Sequence, residues 1–284
     1  MQKIEVEKIS KAKLPERLRE IPDCPDKIYL RGSKDLLNSS YLVSIVGSRK
    51  ATDYGLKQSR KIARELAQSG VVIVSGLALG IDTEAHKGAL EAGGKTIAVL
   101  GTAIDKIYPA TNSSLAKNIL ESGSAIISEY QEGSPTYRSN FALRNRIIAG
   151  ISMATIVIEA AEKSGALITA FLTLDYNREL YALPGNVDRI NSRGTNRLIR
   201  SGANCLIDAG GLLSDFNIIE PKRKVASLSI EEKQLADIFI ESEYNFDQIL
   251  SKLSIDPAKL NVLLAMLELK GILVRSANGY YGLS

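Results

Sequence analysis

LVSIVGSRKATDYG, residues Leu42–Gly55, predicts a short buried strand, a tight turn and the start of a helix. The strand, Leu42–Val46, is rich in β-branched residues and stops at a glycine, which is typical of a central parallel strand. Gly47 permits close approach of the backbone to a ligand, Ser48 offers a hydroxyl and a backbone N–H, and Arg49 offers a fork of donors. The following helix points its positive end the same way, so the stretch predicts a phosphate-binding loop, although such a turn after a strand is more often only a turn.

The composition indicates a soluble globular protein. The chain has 284 residues, of which 45% are hydrophobic and 24% charged, and its length suits one large α/β domain plus a small one. A net charge of +4 is compatible with a polyanionic partner without requiring one. No apolar run reaches membrane-spanning length, and the first residues, MQKIEVEKIS, lack the apolar segment of a signal peptide. We therefore predict a cytoplasmic protein that does not insert into membranes.

Few residues of the chain suit a metal or a redox centre. Cys24 and Cys205 lie far apart and outside any C-x-x-C pattern, which favours a reducing compartment over a disulfide framework. One histidine and two scattered cysteines argue against a zinc site. The sequence predicts neither a metal nor a cofactor.

From Leu42 onward, strand and helix patterns alternate. The predicted strands are Leu42–Val46, Val71–Ser75, Thr96–Leu100, Ala125–Ser128, Ala154–Glu159, Glu179–Ala182 and Asn204–Ile207. The helical patterns between them are Gly55–Ser69, Asp82–Ala92, Ser113–Ser122, Phe141–Gly150 and Ala166–Tyr176. Alternation at this spacing is typical of right-handed βαβ crossovers, so we predict an α/β fold with a doubly wound, mostly parallel sheet covered on both faces.

The two ends of the chain differ from this pattern. Residues 1–40 are charged and proline-containing, and we interpret them as a lead-in with one short edge strand at Ile28–Leu30. Residues 41–219 form the main domain, and 220–227, which include a helix-breaking proline, form a linker.

Residues 228–284 suggest a second, small domain. Three amphipathic helices are predicted at Ile230–Ser242, Phe246–Leu253 and Asp256–Lys270. Two strands, Ile272–Arg275 and Tyr280–Leu283, flank the turn Ala277-Asn278-Gly279. Three helices closed by a small hairpin are the pattern of a winged helix.

Two runs of arginines lack acidic residues. YRSNFALRNR, from Tyr137 to Arg146, and RINSRGTNRLIR, from Arg189 to Arg200, contain the candidate phosphate ligands Arg138, Arg144, Arg146, Arg193 and Arg197. Arginines at i, i+4 and i+7 of the second run share one face if its helix begins early enough. A charge run is usually a solvated face, but clusters of one sign repel unless a partner neutralises them, which favours a phosphate track. Phe141 and Tyr137 can stack on bases.

Catalytic interpretations have less support. His86 lies beside Asp82 and Glu84, which could orient it as a base, but a lone histidine there is more often a packing residue. Glu159 at a strand end is either a catalytic carboxylate or a partner of Arg144 or Arg146. The turn Lys163-Ser164-Gly165 opens a helix and can offer its N-terminus to an anion.

Several motifs in fixed order closely resemble the DNA-processing protein A (DprA, or Smf) family. They are SIVGSRKATDYG, VSGLALGIDTEAHKGAL, TIAVLGTAIDKIYPATNSSL, ISEY, FALRNRIIAGIS, VIEAAEKSGALIT, ALPGN and GTNRLIRSGA. The resemblance runs from about Ile28 to Leu213, and the tail is similar to that family's C-terminal winged-helix-like domain.

The resemblance implies an extended Rossmann-like domain that binds single-stranded DNA and forms a homodimer. It further implies a protein without enzymatic activity that protects incoming DNA and helps load the RecA recombinase during natural transformation. Carried over to this chain, the family's DNA site comprises Gly47, Ser48, Arg49, Arg138, Phe141, Arg144 and Arg146, and our reading of the residues adds Lys163, Ser164, Gly165, Arg193 and Arg197. Many members begin with a helical SAM-like domain, for which the 40-residue lead-in is too short.

Two rival interpretations remain. A Rossmann-like nucleotide hydrolase of the lysine-decarboxylase-like (LOG) type relies on a P-G-G-x-G-T loop, where this chain has AAEKSGALIT without paired glycines. A transcription regulator would read bases with the third helix of the tail. The only cations of that helix are Lys259 and Lys270, and Asp256 and Glu268 offset their charge. That helix is better suited to protein contact, so we expect the tail to bind protein or to regulate assembly.

Overall fold

The computed structural model describes residues 5–218, 229–239, 242–253, 255–270, 272–276 and 279–283. The chain divides into two units, Met1–Glu220 and Pro221–Ser284, and each has its own hydrophobic core. The predicted linker at 220–227 lies outside the described residues. Within the described ranges, no helix is long and apolar enough to cross a membrane.

The first unit alternates strands and helices as predicted. Its strands are β1 (Glu7–Ser10), β2 (Lys27–Gly32), β3 (Leu42–Val46), β4 (Val72–Ser75), β5 (Thr96–Ala103), β6 (Ala125–Tyr130), β7 (Ala154–Val157), β8 (Glu179–Ala182) and β9 (Asn204–Cys205). Its α-helices are α1 (Glu16–Arg19), α2 (Asp53–Gln68), α3 (Ile81–Glu91), α4 (Ser113–Glu121), α5 (Arg138–Ile151), α6 (Gly165–Asp175), α7 (Ile190–Arg200) and α8 (Ala209–Asp215).

These strands form one nine-stranded sheet in the order β1-β2-β6-β5-β4-β3-β7-β8-β9. The strands from β6 to β9 in that order are parallel, while β2 pairs antiparallel with both β1 and β6. The predicted α/β class with a mostly parallel sheet is confirmed. The chain leaves β3 toward β4 and later returns to β7 on the other side of β3. Ligands of doubly wound sheets bind at the carboxyl ends of the strands beside such a switch point.

The prediction that Ile28–Leu30 is an edge strand is wrong. This segment belongs to β2, which lies inside the sheet with Leu30 opposite both Glu7 of β1 and Ile127 of β6. Consecutive residues Ile28, Tyr29 and Leu30 are 0%, 8% and 2% exposed, so both faces of the strand are covered. The edge strand is β1, whose polar sequence EKIS gave no strand signal.

Both faces of the sheet carry an apolar core. Along β3, Leu42 and Val46 pack on one side with Ile147 of α5, whereas Val43 and Ile45 pack on the other side with residues of α2 and α3. This alternation of two buried faces explains why the strand is apolar throughout.

The second unit combines helices with a small antiparallel sheet. It contains α9 (Ile230–Asp237), β10 (Tyr244–Asn245), α10 (Phe246–Leu253), α11 (Pro257–Leu269), β11 (Leu273–Arg275) and β12 (Tyr280–Leu283), with sheet order β10-β12-β11. A capping box between Ser229 and Glu232 starts α9, and the Asp256 side chain caps α11. Helix α9 ends earlier than predicted, and Ala277 and Asn278 of the predicted turn lie outside the described residues. The winged-helix assignment stays a prediction.

Candidate functional site

A cleft lies at the carboxyl ends of β3, β4 and β5, beside the first half of α5. It is lined by Arg49, Gly76, Ala78, Leu79, Tyr108, Pro109, Phe141 and Arg144. The Gly-Ser-Arg turn and the first arginine run therefore meet at one place.

Backbone hydrogen bonds hold the Gly-Ser-Arg turn against the segment after β7 and the start of α3. The Ser48 N–H donates to the carbonyl oxygen of Glu159 (2.8 Å), and the Ile81 N–H donates to the carbonyl oxygen of Ser48 (3.3 Å). A Cβ atom on Gly47 would lie 2.6 Å from Cγ1 of Ile81, so glycine is required there by packing against α3. The Ser48 N–H is thus already engaged and is not free for a phosphate, contrary to our expectation. The turn is fixed, and Arg49 extends from it into solvent.

The Glu159 side chain holds the segment that follows the Gly-Ser-Arg turn. Glu159 is only 3% exposed, and its Oε2 accepts hydrogen bonds from the Thr52 N–H (2.9 Å) and from Nδ2 of Asn191 (3.3 Å). No hydrogen bond or ion pair of the described residues joins it to Arg144 or Arg146, so the expectation that it holds one of them is wrong. Glu159 instead joins the start of α2 to the start of α7, because Thr52 is the N-cap of α2 and Asn191 lies in the first turn of α7.

The rim of the cleft combines an exposed cation with aromatic rings. The guanidinium carbon of Arg49 lies 5.9 Å from the ring centroid of Phe141, and the Tyr108 ring lies 5.3 Å from that of Phe141 at an interplanar angle of 51°. Among the ion pairs of the described residues, none includes Arg49. An arginine beside partly exposed rings is suited to bind a phosphate while a base stacks on the ring.

Arg144 forms the floor of the cleft and has a structural role. It is 5% exposed, and its Nη1 donates to the carbonyl oxygens of Gly76 (2.7 Å) and Val99. Burial lowers the pKa of Arg144 to about 10, opposed by the nearby charge of Asp82, so the guanidinium stays protonated at neutral pH. By bonding to both carbonyls, Arg144 ties the end of β4 to β5.

Asp82 and Asn112 fix the loop at 76–80. The buried Asp82 accepts hydrogen bonds from the N–H groups of Gly76 (3.1 Å) and Ala78 (3.4 Å), while burial raises its pKa against the opposing charge of Arg144. Nδ2 of Asn112 donates to the carbonyl oxygen of Leu77 (2.9 Å), whose φ of 57° is unusual for a leucine. Sequence reasoning did not single out Asn112 and Tyr108 as site residues; the signal was their place in the family motif TIAVLGTAIDKIYPATNSSL.

Arg146 is occupied by internal partners. Its Nη1 and Nη2 donate to the two carboxylate oxygens of Glu129 (2.9 and 2.7 Å), and its Nε donates to the carbonyl oxygen of Asp23 (2.9 Å). Arg146, predicted as a phosphate ligand, therefore has an acidic partner, although its own run contains no acidic residue. The partners come from β6 and from the lead-in, which are remote in sequence.

The remaining predicted residues lie outside the cleft lining. Arg138 and Lys163 are exposed and belong to no ion pair of the described residues, and the Ser164 side chain caps α6 by accepting from the Ala166 N–H (3.3 Å). The Gly165 carbonyl accepts from Nδ2 of Asn145 (3.5 Å), which brings this turn against α5.

Helix α7 carries the second arginine run. It begins at Ile190, early enough for Arg193, Arg197 and Arg200 to share one face, as the sequence suggested, and all three are exposed. Within the described part of the chain, these arginines form no ion pair.

His86 is a neutral core residue. It is fully buried, and its Nδ1 lies 2.7 Å from Oγ1 of Thr96, whose hydroxyl donates to the carbonyl oxygen of Ile73 (2.7 Å). Because the Thr96 hydroxyl hydrogen is used in that bond, Nδ1 of His86 must be the donor to Oγ1 of Thr96. Burial lowers the pKa of His86 to about 3. Glu84 pairs with Lys87 (2.7 Å) and Asp82 with the backbone, so neither orients His86 as a base.

Residues 5–217, which include the whole cleft, match the model of the family DNA recombination-mediator protein A. The chain belongs to this family. Protein Smf from Synechocystis is 45% identical over 208 residues, covering 72% of this chain and 52% of that protein. Protein Smf from Escherichia coli is 42% identical over 234 residues, covering 82% and 59%. The matches thus span somewhat more than half the length of these relatives.

Solved structures agree in fold. The crystal structure of DprA from Streptococcus pneumoniae superposes with a TM-score of 0.70 at 39% identity, covering 75% of each chain. DNA processing protein A from Helicobacter pylori, whose structure describes a single-stranded DNA binding mode, gives a TM-score of 0.69 at 31% identity, covering 76% of this chain and 97% of that one. The family resemblance inferred from the sequence motifs is confirmed.

Proposed function

We propose that this protein binds single-stranded DNA in the cleft between Arg49 and Phe141. The observation that carries the proposal is the exposed Arg49 guanidinium, 5.9 Å from the Phe141 ring and outside every ion pair of the described residues. The single-stranded DNA binding mode described for the Helicobacter pylori relative supports it.

The chemistry of the cleft favours single strands over duplexes. A base stacks on Phe141 or Tyr108 only if it is not already stacked in a duplex. Arg49 binds phosphate without reading bases, so binding should tolerate any sequence and weaken with salt.

The predicted site residues divide into contacts and supports. Arg49, Phe141, Arg138 and Lys163 are proposed to face DNA, with the Ser164-Gly165 turn close to α5. Gly47, Ser48 and Arg144 are proposed to shape the cleft, and Arg146 to hold α5 on β6 through Glu129. Arg193 and Arg197 are proposed as further phosphate contacts on α7.

The test compares two arginines of equal charge in different places. Arg49→Ala is expected to lower the affinity for labelled oligo-dT about tenfold or more, because a charge-assisted hydrogen bond to phosphate is lost. Arg64→Ala, in the second half of α2 and away from the cleft, is the matched control and should stay within about twofold. Fluorescence anisotropy measures both. Near-native affinity of Arg49→Ala, or an equal loss in both variants, would contradict the proposal.

The wider role follows from family membership and is also proposed. We infer a cytoplasmic homodimer that protects incoming single strands and helps load RecA on them in natural transformation, with a winged-helix-like tail that contacts protein or regulates assembly. Light scattering measures the mass, and a RecA filament assay measures loading. A monomer at all concentrations, or unchanged RecA assembly, would contradict this role.

We propose a binding function rather than an enzymatic one. The candidate catalytic residues for the nucleotide-hydrolase alternative are His86 and Glu159. His86 is buried and neutral, and Glu159 accepts hydrogen bonds from Thr52 and Asn191, so both have structural roles. Release of free base from a nucleoside monophosphate, abolished by Glu159→Gln, would favour that alternative.

A further inference from the structure

We propose a second single-strand subsite beside the cleft, formed by Lys50, Tyr54, Arg189 and Arg193, which holds the DNA as it leaves Arg49. This inference rests on the proposed function and assigns a path to the bound strand. The strand would cross the carboxyl edge of the sheet from α5, over β3, toward β8 and α7.

Hydrogen bonds make the cleft and the second subsite one continuous surface. The Lys50 carbonyl, directly after Arg49, accepts from Nδ2 of Asn191 in α7 (2.8 Å). The Tyr54 hydroxyl donates to the carbonyl oxygen of Pro184 in the loop after β8 (3.3 Å). The start of α2 and the segment 184–193 are therefore joined at both points.

The side chains on this surface have the chemistry that a single strand requires. Tyr54 is 47% exposed and offers a ring face for stacking, as Phe141 does in the cleft. Lys50, Arg189 and Arg193 are exposed, and within the described ranges no carboxylate pairs with them. Alternating cations and an aromatic ring are typical of sequence-tolerant single-strand grooves.

The start of α7 adds to the positive potential. Its N-cap, Arg189, makes no side-chain cap hydrogen bond, and its first turn contains no acidic residue. Backbone N–H groups at such a helix start attract phosphate in addition to the side-chain charges. Three nearby carboxylates, those of Asp53, Asp188 and the buried Glu159, offset only part of the charge of Lys50, Lys57, Arg189 and Arg193.

The experiment compares labelled oligo-dT of two lengths, about 5 and about 15 nucleotides, because single-strand sites of this kind span roughly 4–16 nucleotides. The short strand can fill the cleft alone, whereas the long strand reaches both subsites. Arg189→Ala with Arg193→Ala should weaken the long strand about tenfold at low salt and reduce its salt slope by about 2, with the short strand within about twofold. Tyr54→Ala should weaken the long strand about fivefold or more, while Tyr54→Phe, which keeps the ring, stays near wild type.

The control for charge alone is Lys61→Ala with Arg64→Ala, an equal loss of charge in the second half of α2, which should leave both lengths within about twofold. Unchanged binding of the long strand by the Arg189, Arg193 and Tyr54 variants would overturn the second subsite and the phosphate contact proposed for Arg193, while leaving binding of single strands in the cleft intact. Equal losses for both lengths would also overturn it. Failure of the wild-type protein to bind either strand would contradict the inference and the proposed function together.

Discussion

At the scale of single residues, the same residue type has two different roles at this site. Arg49 is exposed, and removing its side chain breaks no hydrogen bond or ion pair of the described residues. Arg144 is buried and donates to two carbonyl oxygens beside Asp82. Arg144→Ala should therefore lower the free energy of unfolding by about 3–5 kcal/mol, because it leaves two buried carbonyl oxygens without a donor and removes a large buried side chain. Arg49→Ala should change it by less than about 0.5 kcal/mol. Urea unfolding measures both, and equal stabilities would contradict the structural role of Arg144.

His86 predicts a dependence of stability on pH. In the unfolded chain its pKa is near the ordinary 6.5, and in the folded protein burial lowers it to about 3. Between these values the unfolded state binds more protons, so the free energy of unfolding falls as the pH drops from 6.5 toward 3, by about 2 kcal/mol on reaching pH 5. His86→Gln should lose part of this dependence. Urea titrations of both proteins at pH 7 and pH 5 measure it, and an identical pH response would rule out His86 as its source.

Residue roles were predictable from sequence only where they depend on local chemistry. The exposed Arg49 beside a turn followed from the Gly-Ser-Arg stretch. The partners of Arg146 and Glu159 did not, because Glu129, Asp23 and Asn191 are brought near by the sheet and not by the chain.

At the scale of elements, the close packing of α2 on α3 depends on one glycine. A Cβ atom at Gly88 would lie 2.2 Å from the carbonyl oxygen of Arg60, whereas one at Gly165, the first residue of α6, would meet nothing within 4 Å. We expect Gly88→Ala to destabilise the fold by about 1–3 kcal/mol through overpacking. Gly165→Ala should be neutral or stabilise it by up to about 1 kcal/mol. Thermal unfolding separates the two, and tolerance of alanine at both positions would contradict the packing.

Element boundaries were predicted well where burial alone sets them. The strands β3 to β8 are buried on both faces, so their apolar runs mark them within one or two residues at most ends. Helix α5 begins at Arg138, three residues before the prediction, because its N-cap Tyr137 makes no side-chain cap hydrogen bond and leaves no signal in the sequence. Strand β1 was missed because its pairing with β2 is set by tertiary contacts.

At the scale of the whole molecule, the two units have separate cores. The core clusters of the first unit end at Ile218, and that of the second begins at Leu235. A fragment of residues 1–220 should therefore fold by itself and keep the single-strand affinity of the full chain within about threefold. Circular dichroism and anisotropy measure this. A fragment that does not fold would contradict the independence of the cores. If the fragment had the same oligomer size as the full chain and the same effect on RecA assembly, the regulatory role proposed for the tail would be contradicted.

The most direct test of the central claim is anisotropy of a labelled oligo-dT strand and of its duplex, each titrated with the full chain at two salt concentrations. The account predicts tighter binding to the single strand, with log affinity falling against log salt at a slope of about −3 if about four phosphates are neutralised. Equal affinity for the duplex, or a slope near zero, would contradict a cleft in which Arg49 binds a phosphate while a base stacks on Phe141.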